Sequence, residues 1–369
     1  MLVRLTRVVR HPLTVLTAGV VVAAVAFRRA VPLALVGELV GLLAGLLSLQ
    51  VGLLVGAVLL GVRVHRVVVG VGPRLVDWTR PRRVVAVRLV PVVLSVAVSA
   101  GRAPRRLWGA ALCSAVAGVV TAVATMGVGL GFSIACTGAV AYALVPRKRP
   151  GSTSTGWLLT HLWRQTEDQA EDLAARAVDA VQEGDLVTAS ELAGELYDRH
   201  PGERSTAAVR ALVLEAQGRY AEAMLQIMAM AGDMGQTPRQ AASSFASLAG
   251  AAYTAIESGQ VARELALGTA DQAVADAETL GYPAYKLNGC RALRALVVGE
   301  PQAAIRLARL AADSCDDRLG RADDLATLAR AHMVAGDNRA ARAALAEAER
   351  IVPWWPRVVE TRKRLDVGK

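Results

Sequence analysis

The stretch Gly184-Asp185-Leu186-Val187-Thr188-Ala189 returns 34 residues later as Gly218-Arg219-Tyr220-Ala221-Glu222-Ala223, with the leading glycine and the closing alanine in register. Gly299 with Ala304 and Ala311, and Gly336-Asp337 with Ala341, Ala348 and Pro353, keep the same offsets, while Gly259 marks a more degenerate copy. From Thr166 onward, alanine-rich apolar positions recur with a period of about 3.6 between interspersed Glu and Arg, the pattern of amphipathic helices in water. A repeat of this length is a supersecondary unit that buries its apolar face only by stacking on its neighbours. The glycine belongs at the turn between two antiparallel helices, and the small alanine lets the second helix pack closely on the first. Pro201 and Pro353 end the second helix of their copies, because proline cannot continue it. Residues 166–369 are therefore expected to form a curved solenoid whose concave surface binds a protein or peptide partner.

The residues before this array obey different rules. The first 150 residues carry 18 basic and 2 acidic side chains, Glu38 and Asp77, for a net +16, whereas the remainder carries 24 basic and 30 acidic for a net −6. Leu107 to Pro146 contains no charge over 40 residues. At about 1.5 Å per residue that is about 60 Å of helix, enough for two passages through a ~30 Å hydrocarbon layer. The natural break falls at Met126 to Gly131. Upstream, Val31 to Val62 is interrupted only by Glu38 and Gln50, and a shorter run, Leu13 to Phe27, precedes it. About four crossings are expected, or three if the first run does not span. Arg63 to Arg106 holds ten Arg and one Asp, and Arg147-Lys148-Arg149 follows the last run. These basic stretches belong on the cytoplasmic side against anionic lipid headgroups, which puts the helical repeats there too. The basic excess is thus explained by membrane orientation, and nucleic acid is not an expected partner.

Other features carry less. Arg outnumbers Lys 38 to 4, a bias of GC-rich bacterial genomes. Cys113, Cys136, Cys290 and Cys315 have neither disulfide nor zinc spacing. Gly127, Gly129 and Gly131 sit in an apolar run with no preceding strand, so they are not a phosphate loop. Gly37, Gly41, Gly45, Gly52 and Gly56 recur mostly at four-residue spacing, a pattern that lets helix backbones approach, either within the chain or between two copies.

After the long apolar run the sequence reads Gly61-Val62-Arg63-Val64, Val69-Gly70-Val71-Gly72-Pro73-Arg74-Leu75 and Val87-Arg88-Leu89-Val90-Pro91. Period-two alternation and the Gly-Pro step predict a short β-hairpin or sheet over residues 62–96 at the membrane surface. This order of residues resembles the site-2 protease family of intramembrane zinc metalloproteases, ungapped over about forty residues and more loosely from about 40 to 160. The resemblance implies a zinc-binding H-E-x-x-H helix just before the sheet. Two histidines one turn apart would hold the metal while the glutamate acts as general base on its water. Twelve residues before Gly61 stands Leu49-Gln50-Val51-Gly52-Leu53 instead. The family's third ligand, an Asp in a later N-x-x-P and D-G pattern, corresponds to Ala143-Leu144-Val145-Pro146 and Ser154-Thr155-Gly156-Trp157, with Ala143 for the Asn and Thr155 for the Asp. A second register, Gly37-Glu38-Leu39-Val40-Gly41, keeps a glutamate but has no histidine. Leucine offers a metal no lone pair, and an amide takes up no proton near neutral pH. The resemblance therefore implies a non-catalytic homologue, with Leu49, Gln50, Leu53, Ala143 and Thr155 at degenerate positions and no metal or cofactor.

The repeats in turn resemble tetratricopeptide repeats, about five of them. No Ser, Cys or Lys nucleophile among them has a recognisable base. Leu162 to Arg176 is expected to link the two parts, with Trp157 and Trp163 at the membrane interface and Trp354-Trp355 with the basic tail as a cap. The expected whole is mainly α: a polytopic membrane helix bundle with a small surface β-sheet (1–160), followed by an α-solenoid (166–369). It would sit in the bacterial cytoplasmic membrane as a non-enzymatic scaffold. The rival reading is an intramembrane zinc protease with unusual ligands.

Overall fold

The computed structural model describes residues 31–80, 83–99, 104–149, 152–162, 169–233, 235–315 and 317–367. They fall into two compact units, one of residues 31–78 and 83–162, the other of residues 169–367 together with 79–80. The run Leu13 to Phe27, Arg28, Arg29 and Trp163 lie outside the described residues.

In the first unit α1 spans Val31–Leu59, α2 Pro104–Ala124 and α3 Leu130–Leu144. Two stretches, Leu35–Leu59 and Pro104–Ala124, are long and apolar enough to cross a membrane. The turn between α2 and α3 falls at residues 125–129, where the sequence placed it. With only 15 residues, about 22 Å, α3 is shorter than the hydrocarbon layer, so the uncharged run from Leu107 does not make two full-length crossings. Both long helices leave large apolar side chains uncovered, among them Val58 at 66% exposure and Val120 at 60%. Exposed apolar surface of this kind marks a contact with a membrane or with another protein.

The glycines of α1 are consumed inside the unit. A Cβ on Gly52 would stand 2.6 Å from the Ala117 side chain, one on Gly56 2.8 Å from the Ala110 backbone, and one on Gly45 2.9 Å from the Cys136 carbonyl. Gly52 and Gly56 thus seat α2 while Gly41 and Gly45 seat α3. At the end of α1, Gly61 takes φ +64 and the Val62 N–H donates to the Ala57 carbonyl at 2.8 Å, turning helix into strand.

Two paired strands follow, β1 (Arg63–Arg80) and β2 (Arg83–Ser99). Only residues 81–82 separate them, so they run antiparallel. The expectation of a short hairpin turning at Gly72-Pro73 fails: that dipeptide lies within β1, and the sheet covers 63–99. A two-stranded sheet is all edge, and an edge strand tolerates a proline whose missing N–H has no partner to lose. The root of the hairpin, Val62, Val64, Val96 and Val98, packs on Leu53, Leu107 and Leu162. Farther out, Leu75, Trp78 and Leu89 are more than half exposed.

After α3, a two-residue ladder pairs β3 (Lys148–Arg149) with β4 (Ser152–Thr153) and leads into α4 (Thr155–His161). Ser154 caps α4 by accepting from the Trp157 N–H at 3.2 Å, and its hydroxyl donates to the Val145 carbonyl at 2.9 Å. The basic stretch after Pro146 is therefore a folded connection.

The second unit is a succession of helical hairpins: α5 (Gln169–Glu183) with α6 (Leu186–Arg199), α7 (Arg204–Ala216) with α8 (Tyr220–Ala231), and α9 (Pro238–Glu257) with α10 (Arg263–Thr279). They are followed by α11 (Asn288–Val298) with α12 (Pro301–Ser314), α13 (Arg318–Val334) with α14 (Asn338–Ile351), and a last helix α15 (Pro356–Val367). The unit begins at Gln169, so the linker foreseen as reaching Arg176 is shorter, because Ala170, Leu173 and Ala177 already have a core to enter.

Each hairpin turns at a glycine of positive φ: Gly184 (82), Gly218 (76), Gly259 (76), Gly299 (86) and Gly336 (80). In Gly184-Asp185 and Gly336-Asp337 the glycine ends one helix in the left-handed region, and the aspartate caps the next by accepting from Thr188 and Ala340 N–H groups at 3.1 and 2.9 Å. The alanine five residues past the glycine is fully buried at Ala189, Ala223, Ala304 and Ala341. The third copy differs by a longer turn: α10 starts four residues after Gly259, where the others start after two, and Ala266 takes the buried place. That insertion is why this copy reads as degenerate.

The array does not remain an open curve. One core runs from α5, α6 and α7 directly into α13, α14 and α15, joining Val181 and Leu196 to Leu325, Trp355 and Val358. Arg318 bridges the ends, donating to the Gln182 carbonyl at 2.6 Å and to the Ile351 carbonyl at 2.9 Å, and the Trp354 ring lies against Gly184. Seven successive residues of α13, Leu325 to Ala331, are buried, as befits a helix covered on every side. The expected open concave surface is therefore largely filled by the chain's own end. Trp354 and Trp355, expected with the basic tail as a cap, lie within this core, and the tail that follows is partly interior: Arg357, Val358 and Thr361 are at most 1% exposed.

Candidate functional site

The structure gathers three of the five degenerate positions and sends the other two elsewhere. Leu49 is buried with Cys136 and Val140, and Ala143 packs against the same cluster. The Ser114 hydroxyl of α2 donates to the Leu49 carbonyl at 2.7 Å and stands 3.4 Å from Thr155 Oγ1. Gly156, next to Thr155, lies so close to the Leu144 carbonyl that a Cβ there would overlap it, which brings the start of α4 against the end of α3. Leu53 is buried in the adjacent cluster at the hairpin root. Gln50 Oε1 accepts from the Val96 N–H of β2 at 3.0 Å. A strand root laid against α1 leaves an inward N–H unpaired, and the amide answers it.

The side chains gathered here offer alkyl groups, two hydroxyls and one thiol, Cys136, against the several imidazole, thiolate or carboxylate donors that zinc takes. Among the described residues no three His, Cys, Asp or Glu side chains come together. Gln50→Leu is expected to leave the Val96 N–H without a partner, costing about 1 kcal/mol. Amides at the root of β2 should then exchange about five-fold faster in hydrogen-exchange mass spectrometry, and unchanged protection would remove the anchoring role.

A second constellation lies in the helical unit, where the sequence gave no motif. Glu257, at the end of α9, forms ion pairs with Arg330 of α13, with Arg357 of α15 at 3.4 Å and with Arg364 of α15 at 3.6 Å. Asp323 takes Arg357 at 2.6 Å and accepts from Trp355 Nε1 at 2.9 Å. Arg330 Nε donates to Thr361 at 2.9 Å, and Arg357 to Thr327 at 2.9 Å. Arg330 is only 4% exposed; desolvation, then the charges of Arg357 and Arg364, hold its pKa below the usual arginine range. Glu215 of α7 borders the same network, and its carboxyl is pushed up to about 8, by burial first and then by the Asp323 charge.

The sign of the Glu215 effect is fixed. Between its ordinary pKa of 4.5 and about 8 the folded state holds a proton that the unfolded state has released, so stability falls as pH rises through that window. Glu215→Gln is expected to flatten this slope and to raise the urea midpoint of the helical unit at pH 8. An equally steep dependence in the variant would overturn the assignment.

Beside the network opens a cleft of about 320 Å³, lined by Glu257, Arg263, Arg330 and Arg364 together with the apolar Ile256, Leu296, Val297, Met333 and Val334. Four charged residues at positions 257, 263, 330 and 364 have no common spacing. The one sequence signal was an arginine set in the otherwise buried face of Leu325 to Ala331. Comparison with protein-family models, with curated proteins and with solved structures finds no match to this chain.

Proposed function

We propose that the chain is a non-catalytic, membrane-anchored adaptor: a bilayer module resembling a site-2 protease that has lost its metal chemistry, carrying a tetratricopeptide-like array that binds a protein or peptide. The observation that carries this reading is that Leu49 and Thr155 meet at Ser114, and Ala143 packs against the cluster of Leu49, while none of these three side chains is a zinc donor. The second support is the cleft on the helical unit, an apolar-walled recess with charged groups at its rim, the usual make-up of a ligand site. The charge split between the two parts argues for a bacterial cytoplasmic membrane with several crossings and the array in the cytoplasm. On the same ground, the arginines from Arg63 to Arg106 meet anionic lipid headgroups.

Two measurements on the full chain in native membranes test this. Elemental analysis of the purified protein is expected to find far less than one zinc per chain. A photo-crosslinking residue at Val297, in the cleft, is expected to capture a defined protein partner, whereas one at the exposed Val187 of α6 captures none. Stoichiometric zinc, or chelator-sensitive cleavage of a membrane helix, would sink the proposal, and so would an absence of cleft-dependent capture.

A further inference from the structure

We propose that the cleft beside Glu257 is a receptor for a carboxylate carried next to an apolar side chain, so that the partner presents an acidic-apolar peptide segment. This deepens the adaptor reading and rests on it. Three arginines, Arg263, Arg330 and Arg364, line the cleft against one carboxylate, Glu257, while Leu296 and Met333 supply apolar wall. The cleft is thus cationic and half dry. Its volume of about 320 Å³ is at the small end of the ~300–1,000 Å³ usual for ligand sites, and takes one or two residues rather than a whole helix.

The arginines are not equally committed. Arg330 is buried and held by Glu257 and Thr361. Arg364 is 41% exposed at its side chain and is shared at longer range, 3.6 Å from Glu257 and 3.4 Å from Glu360. Arg263 opens the next helix, α10, and is exposed. An incoming carboxylate can therefore take the planar forks of Arg364 and Arg263 without disturbing the buried pair, and two such forks favour carboxylate geometry. Glu257 is the internal counterpart of that ligand. It keeps the inner arginines compensated when the cleft is empty and holds Arg364 only at 3.6 Å, a contact that an incoming carboxylate can supplement.

The test uses the full-length protein in nanodiscs and a fluorescein-labelled heptapeptide with a central Leu-Asp pair, beside a Leu-Asn twin, read by anisotropy. The Asp peptide is expected to bind at least ten-fold more tightly than the Asn twin. Raising the salt from 50 to 500 mM should shrink that advantage, and Arg364→Gln should abolish it. Arg263→Gln should reduce it in part. Both side chains lie at the surface, and unchanged unfolding midpoints of the variants establish that they fold. Equal binding of the two peptides, binding of neither, or an Arg364→Gln variant that still discriminates overturns the proposal. Stronger binding of a Leu-phosphoserine twin than of Leu-Asp overturns the carboxylate assignment in favour of phosphate. The adaptor reading is judged separately, by capture at Val297, which does not depend on the partner's charge.

Discussion

Glu257→Ala is expected to lower the stability of the helical unit by about 3–5 kcal/mol, the usual consequence of removing one partner from a buried ion pair. Glu257 is 7% exposed and faces Arg330 and Arg357, which are 4% and 1% exposed. Without it, two guanidinium groups are left crowded together, uncompensated, in a place water barely reaches. Asp323 compensates Arg357 alone, so most of the loss falls on Arg330. The exposed pair Arg219–Glu222 supplies the contrast: both side chains are more than half exposed, and Glu222→Ala should leave the stability almost unchanged. Hydrogen exchange at the α13 amides reads the effect where it arises. A Glu257→Ala loss no larger than that of Glu222→Ala would mean that the network is solvated in solution.

The second large effect is a difference between two glycines of nearly equal backbone. Gly184 and Gly299 have φ of 82 and 86, so alanine at either one meets the same left-handed penalty of about 1–2 kcal/mol. A Cβ on Gly299 meets nothing within 4 Å, whereas one on Gly184 would stand 2.8–2.9 Å from three atoms of the Trp354 indole. Gly184→Ala must therefore also push Trp354 away, adding about 1–3 kcal/mol of overpacking. The two variants together isolate the contact that joins the first hairpin to the end of the chain. Equal losses in denaturant melts of the two variants would show that this contact contributes nothing to stability.

The helical hairpins were legible because their signals are local. A glycine followed by a buried alanine fixes a turn and a close approach, and the Asp after Gly184 and Gly336 adds the cap. The break between α2 and α3 was legible for the same reason. The length of the β-hairpin was not: Gly72-Pro73 is the strongest turn signal in the segment, and it loses its force in a sheet that has only edges. Of the positions that the resemblance singled out, Leu49 and Ala143 share one cluster and Thr155 reaches it through Ser114, while Gln50 and Leu53 face the hairpin root. Ser114, which ties Leu49 to Thr155, was invisible as one hydroxyl in an apolar run. The ionic network was illegible because it is purely tertiary. Glu257, Arg330 and Arg357 lie on three different helices, and only Arg330, set among the small and apolar residues of Leu325 to Ala331, differs from an ordinary surface charge.

The contact of the first hairpin with the last has a consequence for how this unit can change. An open stack of repeats can gain or lose a member at either end, since each repeat answers only to its neighbours. Here Arg318 must reach Gln182, and Trp354 must reach Gly184, across the closure. An added or deleted hairpin would move those partners apart by the width of a helix pair, so the number of hairpins is fixed as the number of staves in a cask is fixed. Variation is confined to what the rim presents.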